Sequence, residues 1–229
     1  MSEDNPAQSA PSKPNTDQAA TSSDRGADAT NSSILEDSAQ RSTTIISHLN
    51  GRALVLVGLM GAGKTTIGRR LAQSLDLNFV DADAEIEKAA GETIPEIFAN
   101  HGEAAFRAGE KRVIARLLTK GSHVLATGGG AYMNAETRDN ISQNALSIWL
   151  HADLDVLMDR VGRRGNRPLL NEKNPRAVME KLISERYPIY AQADLTVDSV
   201  EGTHEHVVEK LLVALEAYLT TPPAEETSK

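Results

Sequence analysis

The sequence has no cysteine. Disulfides, zinc–thiolate sites and thiol nucleophiles are therefore excluded, and the absence fits a reducing compartment. Aromatic residues make up only 3% of the chain, so any core must be mostly aliphatic. No apolar run approaches the ~20 residues that a membrane-crossing helix needs. A net charge of −8 argues against nucleic acid as the default partner. The six histidines show no metal-ligand spacing, and His204 with His206 reads as a helix start on the surface. The base-reading pattern Asn-Lys-x-Asp of a GTPase switch is also missing. What is present, 229 residues with 40% hydrophobic content, suffices for one domain with extensions.

One stretch organises the chain. Gly58-Leu59-Met60-Gly61-Ala62-Gly63-Lys64-Thr65 matches G-x-x-x-x-G-K-[ST], a phosphate-binding loop. The apolar run Leu54–Val57 before it reads as a buried strand. The stretch after it is amphipathic, with Ile67, Leu71 and Leu75 on one face. Glycines let the backbone N–H groups turn inward toward an anion, and the following helix adds its positive dipole end. Lys64 can reach the β- and γ-phosphates, and the Thr65 hydroxyl can ligate Mg²⁺.

Around this loop, short apolar runs alternate with helical segments. Residues 1–48 are rich in small polar residues and net acidic, so they are expected to be a disordered tail. Ile45 and Ile46 are its two candidates for touching the domain. The tail lacks the apolar core of a signal peptide and the Arg-rich, acid-poor character of a transit peptide. The ordered domain is expected over 49–220, with a polar tail at 221–229. Strands are expected at Leu54–Val57, Asn78–Asp81, His123–Ala126, Ala145–Leu150 and Leu195–Asp198. Helices fall between them, one opening on a Thr93/Glu96 capping box with Pro95 in its first turn. This alternation predicts an α/β fold with a parallel sheet and helices on both faces.

In such folds, ligand groups gather at the carboxyl ends of strands. Asp81 and Asp83 end the second strand. One can assist Mg²⁺ while the other orients an acceptor hydroxyl, and a helix N-cap pair is the competing reading. Arg107 can be an ordinary partner of Glu103 or Glu110, or a clamp for a substrate carboxylate. Its spacing does not decide between them. The third strand runs into Gly128, Gly129 and Gly130, where a ligand can approach the backbone and meet exposed N–H groups. A basic, glycine-containing loop at about 162–171 carries Arg163, Arg164 and Arg167. It is a candidate lid over the nucleotide, with Arg167, fixed before Pro168, the best single candidate.

Taken together these pieces resemble the shikimate kinase family. The matching residues are Gly58–Gly68, Asp81/Asp83, Ile94–Phe98 followed by Gly102-Glu103-x-x-Phe106-Arg107, Gly128–Gly130, Arg167-Pro168-Leu169-Leu170, and Arg186-Tyr187-Pro188-x-Tyr190. The resemblance implies a three-layer P-loop kinase fold with a five-stranded parallel sheet of order 2-3-1-4-5. It implies ATP phosphates on Gly61, Ala62, Gly63, Lys64, Thr65 and Thr66, and Mg²⁺ on Thr65 with Asp81 assisting through water. Asp83 would hold the shikimate hydroxyls and activate the attacking one. Arg107 and Arg186 would grip the carboxylate, and the glycine triplet would bind substrate through its backbone. Arg167 would reach the phosphates, and Arg164 (or Arg163) would lie near adenine or phosphate.

Two departures stand out. Only Gly165-Asn166 separates Arg164 from Arg167, a short lid, and Thr65 stands where Ser is common. The implied activity is ATP-dependent phosphorylation of the shikimate 3-hydroxyl, a step toward chorismate and aromatic amino acids, by a cytoplasmic monomer. Rival readings are a gluconate or nucleoside-monophosphate kinase and, from another class, a non-catalytic nucleotide-binding module.

Overall fold

The computed structural model describes residues 24–163, 173–199 and 203–221, with side chains from Asp37 onward. The chain divides into two compact units, Met1–Ser38 and Ala39–Lys229. In the first, the described residues are helical and form the opening of α1 (Asp24–Leu49).

The second unit holds five strands: β1 (Ala53–Val57), β2 (Phe79–Asp81), β3 (Val124–Ala126), β4 (Ala145–His151) and β5 (Leu195–Asp198). Their order is β2-β3-β1-β4-β5, as the family resemblance implies, and all pairs are parallel, as the alternation of strands and helices predicts. β1 pairs with β4 in register from Ala53↔Ala145 to Val57↔Trp149, and all five β1 residues are buried. That explains its unbroken aliphatic run, since a central parallel strand is covered on both faces. Connecting the strands are α2 (Lys64–Ser74), α3 (Ala82–Ala90), α4 (Ile94–Leu118), α5 (Ala135–Asn144), α6 (Leu154–Gly162) and α7 (Pro175–Tyr190), and α8 (His204–Thr220) follows β5. Among the described residues no helix is long and apolar enough to cross a membrane.

The helix signals act as read. Thr93 accepts the Glu96 N–H at 3.4 Å, while the Glu96 carboxylate accepts the Thr93 N–H at 2.8 Å. The two helical stretches expected here run together as α4, broken by Gly102 at φ +78° and ψ 172°, a conformation that favours glycine. Gly68 lets α2 lie close on the sheet. A Cβ there would stand 2.7 Å from the Phe79 ring and 2.9 Å from a Leu56 methyl.

The domain starts earlier than expected. Residues 39–48 are helical, and Ile45 and Leu49 are fully buried in the core. Arg41 donates from Nε to Glu216 at 3.0 Å and pairs through Nη1 with Glu209, both on α8. Ser42 Oγ donates to the Ser74 carbonyl at 2.9 Å. Ile45 and Leu49 lie one turn apart and so share a helix face. Ile45, one of the two tail residues the sequence offered for contact with the domain, is thus part of its core, and Leu49 opens the expected domain. Residues 1–23 and 222–229, and most of the expected lid (164–171), lie outside the described residues.

Candidate active site

A cleft of about 850 Å³ opens at the carboxyl ends of β1, β2 and β3. Its floor is the loop between β1 and α2. Gly63 at φ +95° is the N-cap of α2 and supplies no side-chain cap, so the amino end of α2 is left for an anion. Lys64 folds back over the loop, and its Nζ donates to the carbonyls of Gly58 at 2.8 Å and Leu59 at 3.0 Å. Thr65 points its hydroxyl at Asp81, donating to Oδ2 at 3.2 Å.

Asp81 is the helix N-cap that one reading of the sequence expects. One carboxylate oxygen, Oδ1, caps α3 by accepting the Asp83 N–H at 3.1 Å, while the other receives Thr65. The capping bond fixes the carboxylate, so its second oxygen is held beside the Thr65 hydroxyl. A hydroxyl and a carboxylate are hard oxygen donors suited to Mg²⁺, which commonly keeps several waters and phosphate oxygens besides.

Asp83 stands deeper. Burial, reinforced by the Asp81 charge, pushes its carboxyl above the ordinary range, against the pull of Lys64 and Arg107. A carboxylate so placed is a better proton acceptor than a solvated one.

The glycine triplet after β3 is a place of close approach, as the sequence suggests. At Gly128 and Gly130 the room left by the missing side chains is taken by the protein's own groups. A Cβ on Gly128 would stand 2.9 Å from Asp83 Oδ1 and 3.2 Å from Glu110 Oε1. One on Gly130 would stand 2.6 Å from Arg107 Nη1, and one on Gly129 would stand 3.4 Å from Arg186 Nη1. Three elements, α3, α4 and α7, thus deliver Asp83, Arg107 and Arg186 to three consecutive residues. Arg186 Nη1 also donates to the Gly129 carbonyl at 3.0 Å. Arg107, which spacing left undecided, sits against the triplet and is held there by its own helix. It donates to Glu110 at 2.7 Å and more loosely to Glu103 at 3.4 Å. Glu110 is buried, and burial pushes its carboxyl upward while Arg107 pulls it back.

Two further residues were not singled out by the sequence. Glu110 was visible only as a possible Arg107 partner. Arg160 on α6 donates through Nη1 to Ser199 at 2.8 Å and to the Gly61 carbonyl at 3.4 Å, tying the end of β5 to the phosphate loop. An Arg one turn before a basic loop carries no distinctive spacing. His204 is a helix start as expected, but it also lines the cleft, as do Arg160 and Arg163. Arg164 and Arg167 fall outside the described residues.

The cleft therefore places the amino end of α2 and Lys64 beside the half-buried Asp83, while Arg107 and Arg186 stand against the glycine triplet at its edge. The family model for shikimate kinase matches residues 60–216. A shikimate kinase of Rhodopseudomonas palustris is 54% identical over 179 residues, covering 78% of this chain and 88% of the relative. One from Nitrobacter winogradskyi is 58% identical over 170 residues, covering 74% and 79%. Among solved structures, the shikimate kinase from Acinetobacter baumannii in complex with shikimate superposes with a TM-score of 0.70 at 37% identity, covering 74% of this chain and 96% of that one. The enzyme from Aquifex aeolicus gives 0.62 at 34% identity, covering 72% and 96%. With its phosphate loop and Asp83 in one cleft, Arg107 and Arg186 against the glycine triplet, and matches of this extent, the chain belongs to the shikimate kinase family.

Proposed function

We propose that this chain transfers the γ-phosphoryl group of ATP to the 3-hydroxyl of shikimate, giving 3-phosphoshikimate and ADP. The observation that carries the reading is the convergence of Asp83, Arg107 and Arg186 on Gly128–Gly130, beside the uncapped amino end of α2. The acceptor suits that pocket, being a small acid with several hydroxyls. Each Arg–carboxylate contact is worth about 1.5–3 kcal/mol as a charge-assisted bond, so two of them select an acid over a neutral sugar.

In this reading Gly61–Thr66 hold the phosphates by their N–H groups. Lys64 exchanges its carbonyl partners for phosphate oxygens and stabilises charge as it develops on the transferring group. Arg107 and Arg186 hold the substrate carboxylate, with the triplet backbone beside them, and thereby aim the 3-hydroxyl. Asp83 accepts its proton as the oxygen attacks phosphorus. The bond from phosphorus to the bridging oxygen breaks, and ADP departs. Thr65, with Asp81 through water, would hold Mg²⁺, which when bound neutralises phosphate charge. On the lid, Arg167 would reach the phosphates, with Arg164 (or Arg163) toward the adenine side. The reading is completed by a monomer in a cytoplasmic setting, with which the absence of cysteine is compatible.

A coupled ADP-release assay with shikimate and gluconate side by side tests the reading. Turnover with shikimate is expected. Turnover with gluconate and none with shikimate would sink it.

A further inference from the structure

The carbonyl of Gly129 receives two hydrogen bonds from one helix. Arg186 Nη1 donates to it at 3.0 Å, and the Tyr190 hydroxyl, one turn further along α7, donates to it as well. Tyr190 is fully buried, and burial keeps its hydroxyl protonated by pushing its pKa upward. Its ring packs in an aromatic cluster, 6.1 Å from Trp149 and 6.4 Å from Tyr132 between centroids. The ring is therefore fixed by packing, and its hydroxyl is held between the Gly129 carbonyl and the Arg186 side chain.

We propose that Tyr190 is a positioning residue for the acceptor, acting through the Gly129 carbonyl it shares with Arg186. A carbonyl oxygen has two lone pairs, and here both have donors. The peptide between Gly129 and Gly130 is planar, so fixing its oxygen also fixes the direction of its N–H, which points away from α7. This link is needed because glycine backbone is unusually free to rotate. Without a second anchor the peptide could tilt, taking with it the carbonyl that holds Arg186. Tyr190 thus sets two acceptor contacts at once, the guanidinium and the triplet backbone. The inference rests on the proposed shikimate reading.

The test uses the full chain with Tyr190→Phe, which removes only the hydroxyl and keeps the ring. Tyr187→Phe serves as the control, because the Tyr187 hydroxyl on the same helix donates to the Ala152 carbonyl instead. Shikimate binding without nucleotide, KM for both substrates, and Tm are measured. Tyr190→Phe is expected to weaken shikimate binding and raise its KM about 3- to 10-fold, the effect of one neutral hydrogen bond. ATP KM and Tm should barely move, and Tyr187→Phe should leave shikimate KM unchanged. In an Arg186→Ala background, Tyr190→Phe should add less than in the parent. Unchanged shikimate affinity in Tyr190→Phe, or equal loss for both substrates, overturns the inference while leaving the kinase reading intact. If the parent chain itself binds no shikimate, the kinase reading falls first and this inference falls with it.

Discussion

Arg107 and Glu110 lie three residues apart on α4 and meet at 2.7 Å, with Glu110 only 4% exposed. The pair explains how an arginine on an open helix surface becomes a fixed neighbour of the glycine triplet. Exposed Arg–Glu pairs contribute little and adopt many geometries. A buried carboxylate has no water to turn to, so it holds the guanidinium in one place. Glu110→Gln should therefore raise the KM for shikimate about tenfold or more, with ATP KM within about twofold. Steady-state kinetics with each substrate varied in turn checks this.

Asp83 combines a catalytic assignment with a stability cost. Its carboxyl is raised in the folded state, mainly by burial. The stability associated with this group is therefore fully present below its unfolded pKa and is lost as pH rises through the folded value. At neutral pH the ionised side chain is a burden on the fold. Asp83→Asn should raise Tm at pH 7 to 8 while lowering kcat by about 100-fold or more. The gain in Tm should shrink as the pH falls. For the parent, the acid limb of kcat/KM should lie above that of an ordinary carboxylate. Thermal melts across pH and a pH–rate profile test both halves.

The glycine triplet should respond to alanine position by position. At Gly128 and Gly130 the added methyl would collide with side-chain ends, Asp83 Oδ1 and Arg107 Nη1, rather than with backbone. Such ends can swing aside at little cost to the fold, but not without leaving their functional places. Gly128→Ala should mainly lower kcat, and Gly130→Ala should mainly raise the shikimate KM, each about tenfold or more. Melting temperatures should stay near the parent's. A large loss of Tm with unchanged kinetics would contradict this assignment of the three positions.

The amino-terminal boundary is open to a pair of truncations. Removing residues 1–38 should leave Tm and kinetics unchanged. Removing 1–48 takes away buried Ile45 and the Arg41 contacts with α8. A buried Ile side chain alone contributes about 1.5–3 kcal/mol, and each kcal/mol shifts Tm by roughly 2–4 °C in a domain of this size. A fall of roughly 5 °C or more is expected, read by thermal denaturation.

Much of this architecture was legible in the sequence because the parallel fold repeats one rule. Each strand end needed chemistry, and Lys64, Asp81, Asp83 and Gly128–Gly130 stood where that rule places it. What stayed hidden was choice among equivalent neighbours. Glu103 and Glu110 are both within helical reach of Arg107, and burial, which spacing does not encode, selects Glu110. Arg160 depends on a contact with Ser199 that closes only in three dimensions. The triplet's glycines were recognisable as places of close approach, yet the sequence could not say that Asp83, Arg107 and Arg186 were the visitors. Residues 39–48 read as tail because their composition is polar, yet one buried side chain, Ile45, and the Arg41 contacts with α8 dock this turn of helix.

Gly68 is not among the residues that line the cleft, yet it governs a spacing within it. Thr65 precedes it by three residues on α2, and Asp81 follows its neighbour Phe79 by two on β2. The height at which the helix rides over the sheet is therefore also the span between the Thr65 hydroxyl and the Asp81 carboxylate. A single methyl group at Gly68 would lift the helix and part those oxygens. The calibration of the phosphate end thus resides in the packing beneath it, at a residue chosen for having nothing to offer but its absence of bulk.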